Sequence, residues 1–311
     1  MNFPPHAANA SQPARQPPGE LQARIARLLV YPIKSCAGVD LKESVLTPTG
    51  LDYDRAWMVV DEQGEFVSQR ELPRMALVQP QFRHADLLLR APGMLPLHLL
   101  LDSAEQPCKV RVWNDQVEAY DMGDLAAQWF SDFLLAGNSA GDGRPKKLRL
   151  ARFDPERRRA SDAQWTGGVE AQTQFADGFA LLLTSLAAHE DLNQRLRAAG
   201  QEPVGVERFR PNIVLEGLVA HDEDRIGDLS LATDQGLALL RPVKPCSRCS
   251  IPNVDPASGV AEPTLSDLLQ TYRQDPKMGG ATTFGMNAIV IHGDEYVLRV
   301  GQMAGADYKF A

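Results

Sequence analysis

The chain has 311 residues, 44% of them hydrophobic, and a formal charge of −8 from 32 Lys and Arg against 40 Asp and Glu. That is the length of about two ordinary domains with apolar content for real cores, and the acidic balance argues against general nucleic-acid binding, whose phosphate contacts demand cations. No run approaches the roughly 18 consecutive apolar residues of a membrane span, and four scattered cysteines make no disulfide framework, so the expected location is the cytoplasm.

Residues 1–20, MNFPPHAANASQPARQPPGE, hold five prolines and almost nothing large and apolar. They cannot offset the entropy of ordering by burial and read as a disordered tail with no apolar signal segment. From Ile25 the sequence reads as short strands (IARLLVYPI, VLTP, AWMVVDEQGEFVSQ, ALVQPQF, DLLLRAP, LHLLLD, CKVRVWNDQVEAYD), with DEQG and WNDQ as hairpin turns. LAAQWFSDFLLAG, residues 125–137, spaces its apolar residues as a helix does and stops at glycine, which predicts a helix at the seam between two domains. Helices are also predicted over 185–200 and 264–274, with Ser or Thr capping each start. Strand-like stretches such as PNIVLEG, LALLRPV and NAIVIHG follow in no βαβ rhythm. The predicted fold class is α+β: a β-rich domain over residues 21–140, packed on a second domain over 141–308 built on a mixed, partly closed sheet or barrel with helices.

The stretch RPVKPCSRCSIPNVDPASG, residues 241–259, holds Cys246 and Cys249 three positions apart. A structural zinc site needs four ligands, yet no second C-x-x-C follows and the histidines are scattered singly. A thioredoxin-type pair sits at a helix N-terminus, and the two prolines and glycine after Cys249 disfavour a helix there. The remaining reading is a single thiolate acting as a soft metal ligand, favoured in its charged form by Lys244 and Arg248. Cys36 and Cys108 read as inert small hydrophobes.

Other stretches supply what an anionic, metal-bearing cofactor requires, each with a plainer alternative. Lys34 and Ser35 in YPIKSCAG suit a phosphate, or form an exposed loop. Arg55 in LDYDRAW fits an ion pair equally well. Arg210 and Asn212 in RFRPNIVLEG flank a proline and alone describe a turn. Thr184 and Ser185 stand at a helix start, where exposed N–H groups favour an anion but ordinary capping explains them too. Asp255 orients an arginine or simply closes an Asx turn before Pro256.

The order YPIKSCAG, DYDRAWMVVD, RFRPNIVLEG, KPCSRCSIPNVDPASG, TYRQ, FGMNAIV, LRVG resembles the two-domain proteins of the MOSC family, which include the mitochondrial amidoxime-reducing component and its bacterial counterparts. The resemblance runs over about residues 22–305. It implies an N-terminal β-rich domain packed on a MOSC domain that binds molybdenum cofactor (Mo-molybdopterin). It implies Cys249 as the catalytic thiolate ligand of molybdenum, with Ser247 and Arg248 lining the cofactor. Lys34, Ser35, Arg55, Arg210 and Asn212 would hold the pterin and its phosphate, and Thr184 or Ser185 would cap it. The implied activity is reduction of N-hydroxylated compounds to amines. The rival readings are a carrier that passes molybdenum cofactor or sulfur from Cys249, and a C-x-x-C redox sensor.

Reduction needs electrons, and the chain has no G-x-G-x-x-G loop, no four-cysteine cluster motif and no attached pyridoxal-phosphate domain. The expectation is a separate ferredoxin- or flavoprotein-like donor, no bound iron–sulfur cluster or PLP, no membrane, and no nucleic-acid partner beyond modified bases as substrates. Residues 144–159, RPKKLRLARFDPERRR, hold eight basic residues against two acidic ones. They read as a solvated face or connector, or as a docking patch for an acidic donor.

Overall fold

The computed structural model describes residues 16–136, 145 and 147–309. Seven strands close a barrel: β1 (Leu21–Val30), β2 (Leu181–Ser185), β3 (Ile213–Glu216), β4 (Leu229–Thr233), β5 (Gly236–Ser247), β6 (Ala281–His292) and β7 (Met303–Ala306). Around the barrel they run β2-β3-β1-β7-β4-β5-β6 and back to β2. The β2–β3 pair is parallel, with Leu183 opposite Ile213, and the other pairs are antiparallel. Closure comes from β2, which pairs with both β3 and β6, so the sheet expected to be partly closed is a complete ring. Its interior is apolar, with Ile25, Leu28, Leu183, Leu215, Leu231 and Leu240 fully buried, each contributing roughly 1.5–3 kcal/mol.

The barrel draws one stave, β1, from the N-terminal segment. The N-terminal segment also builds a four-stranded antiparallel sheet in the order Trp57–Val60, Arg149–Phe153, Asp115–Asp121, Gln106–Val112, whose second strand comes from beyond residue 140, and a three-stranded meander over Gln79–Phe82, Asp86–Arg90 and Leu97–Leu100. Helix α1 (Gly123–Leu134) buries Ala126, Phe130 and Phe133 into a core with Trp57, Met75 and Leu150. The architecture is thus α+β, mostly sheet with few helices.

Differences from the sequence reading have local causes. Residues 1–15 of the expected tail lie outside the described residues, as does the boundary expected between residues 140 and 141. Residues 16–20 pack along β7: Glu20 N donates to Asp307 Oδ1 at 2.9 Å, and a Cβ on Gly305 would stand 2.3 Å from the Pro18 carbonyl oxygen. Helix α1 begins two residues earlier than expected and ends at Leu134. Helix α2 (Leu186–Ala198) is capped by Ser185, whose Oγ accepts from Ala188 N at 3.1 Å. Helix α3 (Thr264–Gln270) stops short because Gln274 and Asp275 pair with Thr282 and Ala281 of β6, and Pro263, not Thr264, occupies its cap position. Among the described residues no helix is long and apolar enough to cross a membrane.

Strands β5 and β6 matter most for the site. Their ladder shifts register at Pro242/Lys244 and again at Pro245/Ser247. Each proline lacks an N–H for the ladder, and such bulges bend a strand and re-aim its side chains. The end of β5 stays paired with β6, Ser247 opposite Thr283, and brings Lys244, Cys246 and Ser247 to a cavity that Lys34 and Arg55 also line.

Candidate functional site

A cleft of about 280 Å³ lies where the barrel meets the N-terminal unit. Lys34, Ser35, Arg55, Arg210, Asn212, Ser247, Arg248 and Cys249 all line it, although they come from four separate stretches of sequence. Lys34 follows β1 and is fixed by its N–H to the Trp57 carbonyl at 2.8 Å. Arg55 leaves a turn whose N–H returns to the Tyr31 carbonyl at 2.9 Å, and Arg210 and Asn212 lead into β3. Three of these residues hold positive φ: Ser35 at 65°, Arg55 at 50° and Arg210 at 60°. Left-handed backbone at a non-glycine residue costs about 1–3 kcal/mol and persists only where surrounding structure imposes it.

Six cations, Lys34, Arg55, Arg70, Arg210, Lys244 and Arg248, line the cleft against one carboxylate, Asp177. In a chain of net charge −8 this is a local concentration of positive charge. Lys34 is buried, and its Nζ donates to the Phe175 carbonyl at 2.8 Å and to the Asp177 carboxylate. Burial pulls its pKa down, against the upward pull of Asp177. Arg55 donates to both Asp54 oxygens at 2.7 and 2.6 Å, to Asn212 Oδ1 at 3.3 Å and to the Arg210 carbonyl at 3.1 Å. Arg210 donates to the Cys36 carbonyl at 2.6 Å, and burial, aided by the charge of Arg55, lowers its pKa to about 10. Both guanidinium carbons lie against the Tyr31 ring, at 4.4 and 4.2 Å. Two guanidinium nitrogens, Arg210 Nη2 and Arg248 Nε, are buried with no hydrogen-bond partner among the described residues. Buried donors without partners are costly, so these two mark where an acceptor belongs.

Cys249 is exposed at the cleft, whereas Cys246 is half-buried. Arg248 Nη1 donates to Cys246 Sγ at 3.0 Å and Nη2 to the Phe209 carbonyl at 3.0 Å, so the guanidinium expected beside Cys249 is engaged by Cys246. The Lys244 amine lies 5.0 Å from the Trp165 ring centre. Cys36 is fully buried and Cys108 half-buried; burial pushes their thiols up to about 12 and about 11, out of reach of thiolate chemistry near neutrality. Asp255 spends its carboxylate on its own loop, accepting from Ala257 N at 3.0 Å and Ser258 Oγ at 2.9 Å.

Thr184 and Ser185 do not reach the cleft. Both are fully buried; Thr184 Oγ1 faces His189 Nε2 at 3.2 Å, and Ser185 Oγ donates to Glu223 Oε2 at 2.7 Å while capping α2. Asn212 lines the cleft, but its amide is committed to protein, accepting from Leu182 N at 3.1 Å and donating to the Leu29 carbonyl at 3.2 Å. Sequence reasoning missed Arg70, Asp177, Gly178, Phe179 and Asn287, which also line it. The Asp-Gly turn signal just before β2 was the available clue to Asp177 and Gly178.

Among the described residues of the basic run over 144–159, Arg149, Arg157, Arg158 and Arg159 are paired with carboxylates. Arg157 pairs with Asp154 at 3.6 Å and Arg158 with Glu170 at 3.3 Å. Arg159 is buried and donates to Asp115 at 2.7 Å and to the carbonyls of Gln174, Ala176 and Asp177 at 2.9, 2.6 and 3.2 Å, so it is no part of a docking surface. It ties down the loop that carries Asp177.

Residues 22–136 match the MOSC N-terminal beta barrel domain, and residues 170–304 match the MOSC domain. The chain belongs to the MOSC family. This MOSC protein is similar to mitochondrial amidoxime reducing component 2 of Bos taurus, 32% identical over 276 residues that cover 85% of this chain and 76% of that one. It is similar to mitochondrial amidoxime-reducing component 1 of Homo sapiens, at 33% over 266 residues, 81% of this chain and 73% of that one. It is also 29% identical over 274 residues to the molybdenum cofactor sulfurase of Bos taurus, covering 83% of this chain but 30% of the larger protein.

Proposed function

We propose that this MOSC protein holds a molybdenum cofactor in the cationic cleft and reduces N-hydroxylated compounds to amines. The observation that carries the reading is the cleft itself: six cations against one carboxylate, two buried guanidinium nitrogens without partners, and an exposed cysteine at one end. That donor set suits a ligand with an anionic phosphate and a polar pterin, because arginine forks and a lysine recognise phosphate oxygens. Among the described residues no three His, Cys, Asp or Glu side chains gather as metal ligands, so a metal here would take most of its coordination from a ligand that brings its own donors.

In this reading Lys34, Ser35, Arg55 and Arg210 hold the phosphate and pterin, Arg248 and Ser247 line the metal end, and Cys249 supplies the protein thiolate. Arg70 and Asn287 join them from outside the sequence-derived set. Thr184 and Ser185 drop out, and Asn212 acts by positioning Arg55. When bound, the molybdenum cofactor supplies two-electron oxygen-atom chemistry. The net reaction takes an N–OH group, two electrons and two protons to an N–H group and water. The electrons come from a separate ferredoxin- or flavoprotein-like protein; the reading gives this chain neither an iron–sulfur cluster nor PLP, and it keeps the chain in the cytoplasm, although the amidoxime-reducing relatives are named as mitochondrial.

The exposure of Cys249 and the likeness to a molybdenum cofactor sulfurase favour a second reading, a carrier that hands on cofactor or sulfur. The test is incubation of the cofactor-loaded protein with benzamidoxime and an artificial electron donor. The reductase reading expects benzamidine; a loaded protein that forms none and instead transfers its cofactor to an apo-enzyme is a carrier.

A further inference from the structure

Cys249 stands between two cavities. The cationic cleft lies on one side, and a second cavity of about 250 Å³ shares Arg248 and Cys249 with it. A third cavity meets the cleft only through Arg210 and Ile251 and does not touch the cysteine. The second cavity differs in character. Arg248 is its single charged lining residue, so it offers neither the cation cluster that an anion needs nor a carboxylate to hold a cation.

Its floor is apolar, formed by the buried Leu269 of α3 and the buried Pro252. Its polar wall comes from Ser250, from Ser266, whose hydroxyl is already engaged by Asn253 Nδ2 and the Pro263 carbonyl at 2.9 Å each, from Gln270, at the end of α3, and from Thr282, whose backbone carbonyl is held by Arg248 N at 2.9 Å. Gln270 is exposed and Thr282 half-buried, and among the described residues the side chains of Gln270 and Thr282 have no protein hydrogen-bond partner, which leaves both open to a ligand in exchange for water. A carboxamide presents one acceptor and two donors, and a hydroxyl presents both roles. Together they complement an uncharged head that carries N–OH and NH₂ groups on one carbon.

The geometry points to this second cavity as the substrate pocket, taking a neutral amidoxime-type head against Gln270 and Thr282 with its apolar body on Leu269 and Pro252. The inference rests on the proposed reductase reading. It adds a direction to the reaction: two electrons and two protons take a neutral amidoxime to the amidine and water, and the basic amidine takes a third proton from solvent, so that a cation then faces the Arg248 guanidinium with no carboxylate in the lining to retain it. Product leaves because the pocket accommodates the charge poorly.

The test uses the full-length, cofactor-loaded chain as wild type, Gln270→Ala, Thr282→Val and Gln270→Glu. Binding of benzamidoxime and of benzamidine is titrated calorimetrically, alongside steady-state kinetics. Gln270→Ala and Thr282→Val each weaken benzamidoxime binding and raise KM by about tenfold, the scale of one lost polar contact, while kcat changes less and molybdenum content stays at the wild-type level. Gln270→Glu binds benzamidine about tenfold more tightly than wild type and becomes product-inhibited, because a carboxylate now faces the amidinium. Wild type that binds or turns over benzamidoxime with all three variants unchanged overturns the pocket assignment, as does a loaded wild type that binds neither ligand. Binding that shifts as stated in a protein that performs no turnover upholds the pocket and removes the reductase reading instead.

Discussion

The guanidinium of Arg55 donates to the backbone carbonyl of Arg210 at 3.1 Å, across 155 positions of sequence. This bond joins the two family-matched regions at the wall of the cleft. Arg55 also neutralises Asp54, a buried carboxylate that accepts from Tyr31 N at 2.8 Å. Arg55→Ala therefore leaves a buried charge unpaired, and the expected loss is about 3–5 kcal/mol in urea denaturation. Arg55→Lys restores the charge but not the fork, and should recover stability only in part while still retaining less pterin.

Ser35 gives a second test, because its φ of 65° is one glycine adopts freely. Ser35→Gly should leave the melting temperature unchanged or raised, since relief of strain offsets the added chain entropy. It should also lower cofactor retention through loss of the hydroxyl. A variant that lost stability and kept its cofactor would show that the strain serves folding and not the site.

Glu223 sets a pH dependence. It is fully buried beside Ser185, and burial raises its carboxyl from 4.5 to about 7. Between those values the folded chain holds a proton that the unfolded chain has released, so this group's stabilisation is complete below about 4.5 and is lost as pH rises through about 7. His189, which burial holds down at about 3, contributes the opposite slope below 6.5. The diagnostic is the difference between wild type and Glu223→Gln: the wild type should lose more stability than the variant from pH 5 to pH 8. Parallel stability–pH curves would contradict it.

Arg159 and its neighbours separate structure from surface. Arg159→Ala should cost about 1–3 kcal/mol, because the carbonyls of Gln174, Ala176 and Asp177 lose a buried donor while the freed Asp115 carboxylate is half exposed. Reversing the charge of Arg157 and Arg158, whose side chains are 63% and 72% exposed, should change stability by less than about 1 kcal/mol.

These contrasts show what was legible in the sequence. The cysteine motif and the segments around Lys34, Arg55 and Arg210 were readable because each is a local run of chemistry-bearing residues in a recognisable order. Asp177 was not, since its meaning depends on Lys34, 143 positions away. Strand alternation tells which face is buried and cannot tell whether a sheet closes, so the double pairing of β2 was hidden. Ser185 carried one signal compatible with two roles, and in the fold its hydroxyl caps a helix. Arg248 was expected to serve Cys249, but the ladder shifts at Pro242 and Pro245 re-aim the end of β5, and its guanidinium reaches Cys246.

The contact from Arg248 also ranks the two cysteines. Cys246→Ala removes one acceptor at 3.0 Å and should lower activity several-fold at most, with molybdenum content retained. Cys249 carries the central claim, and the most direct measurement is the molybdenum and pterin content of purified wild type and Cys249→Ser, both made in cells that synthesise the cofactor. The account predicts stoichiometric molybdenum and pterin in the wild type, and in Cys249→Ser a loss of the metal's thiolate signature together with turnover. Cys249→Ser with wild-type metal content, spectrum and rate, or a wild type without molybdenum, would contradict it.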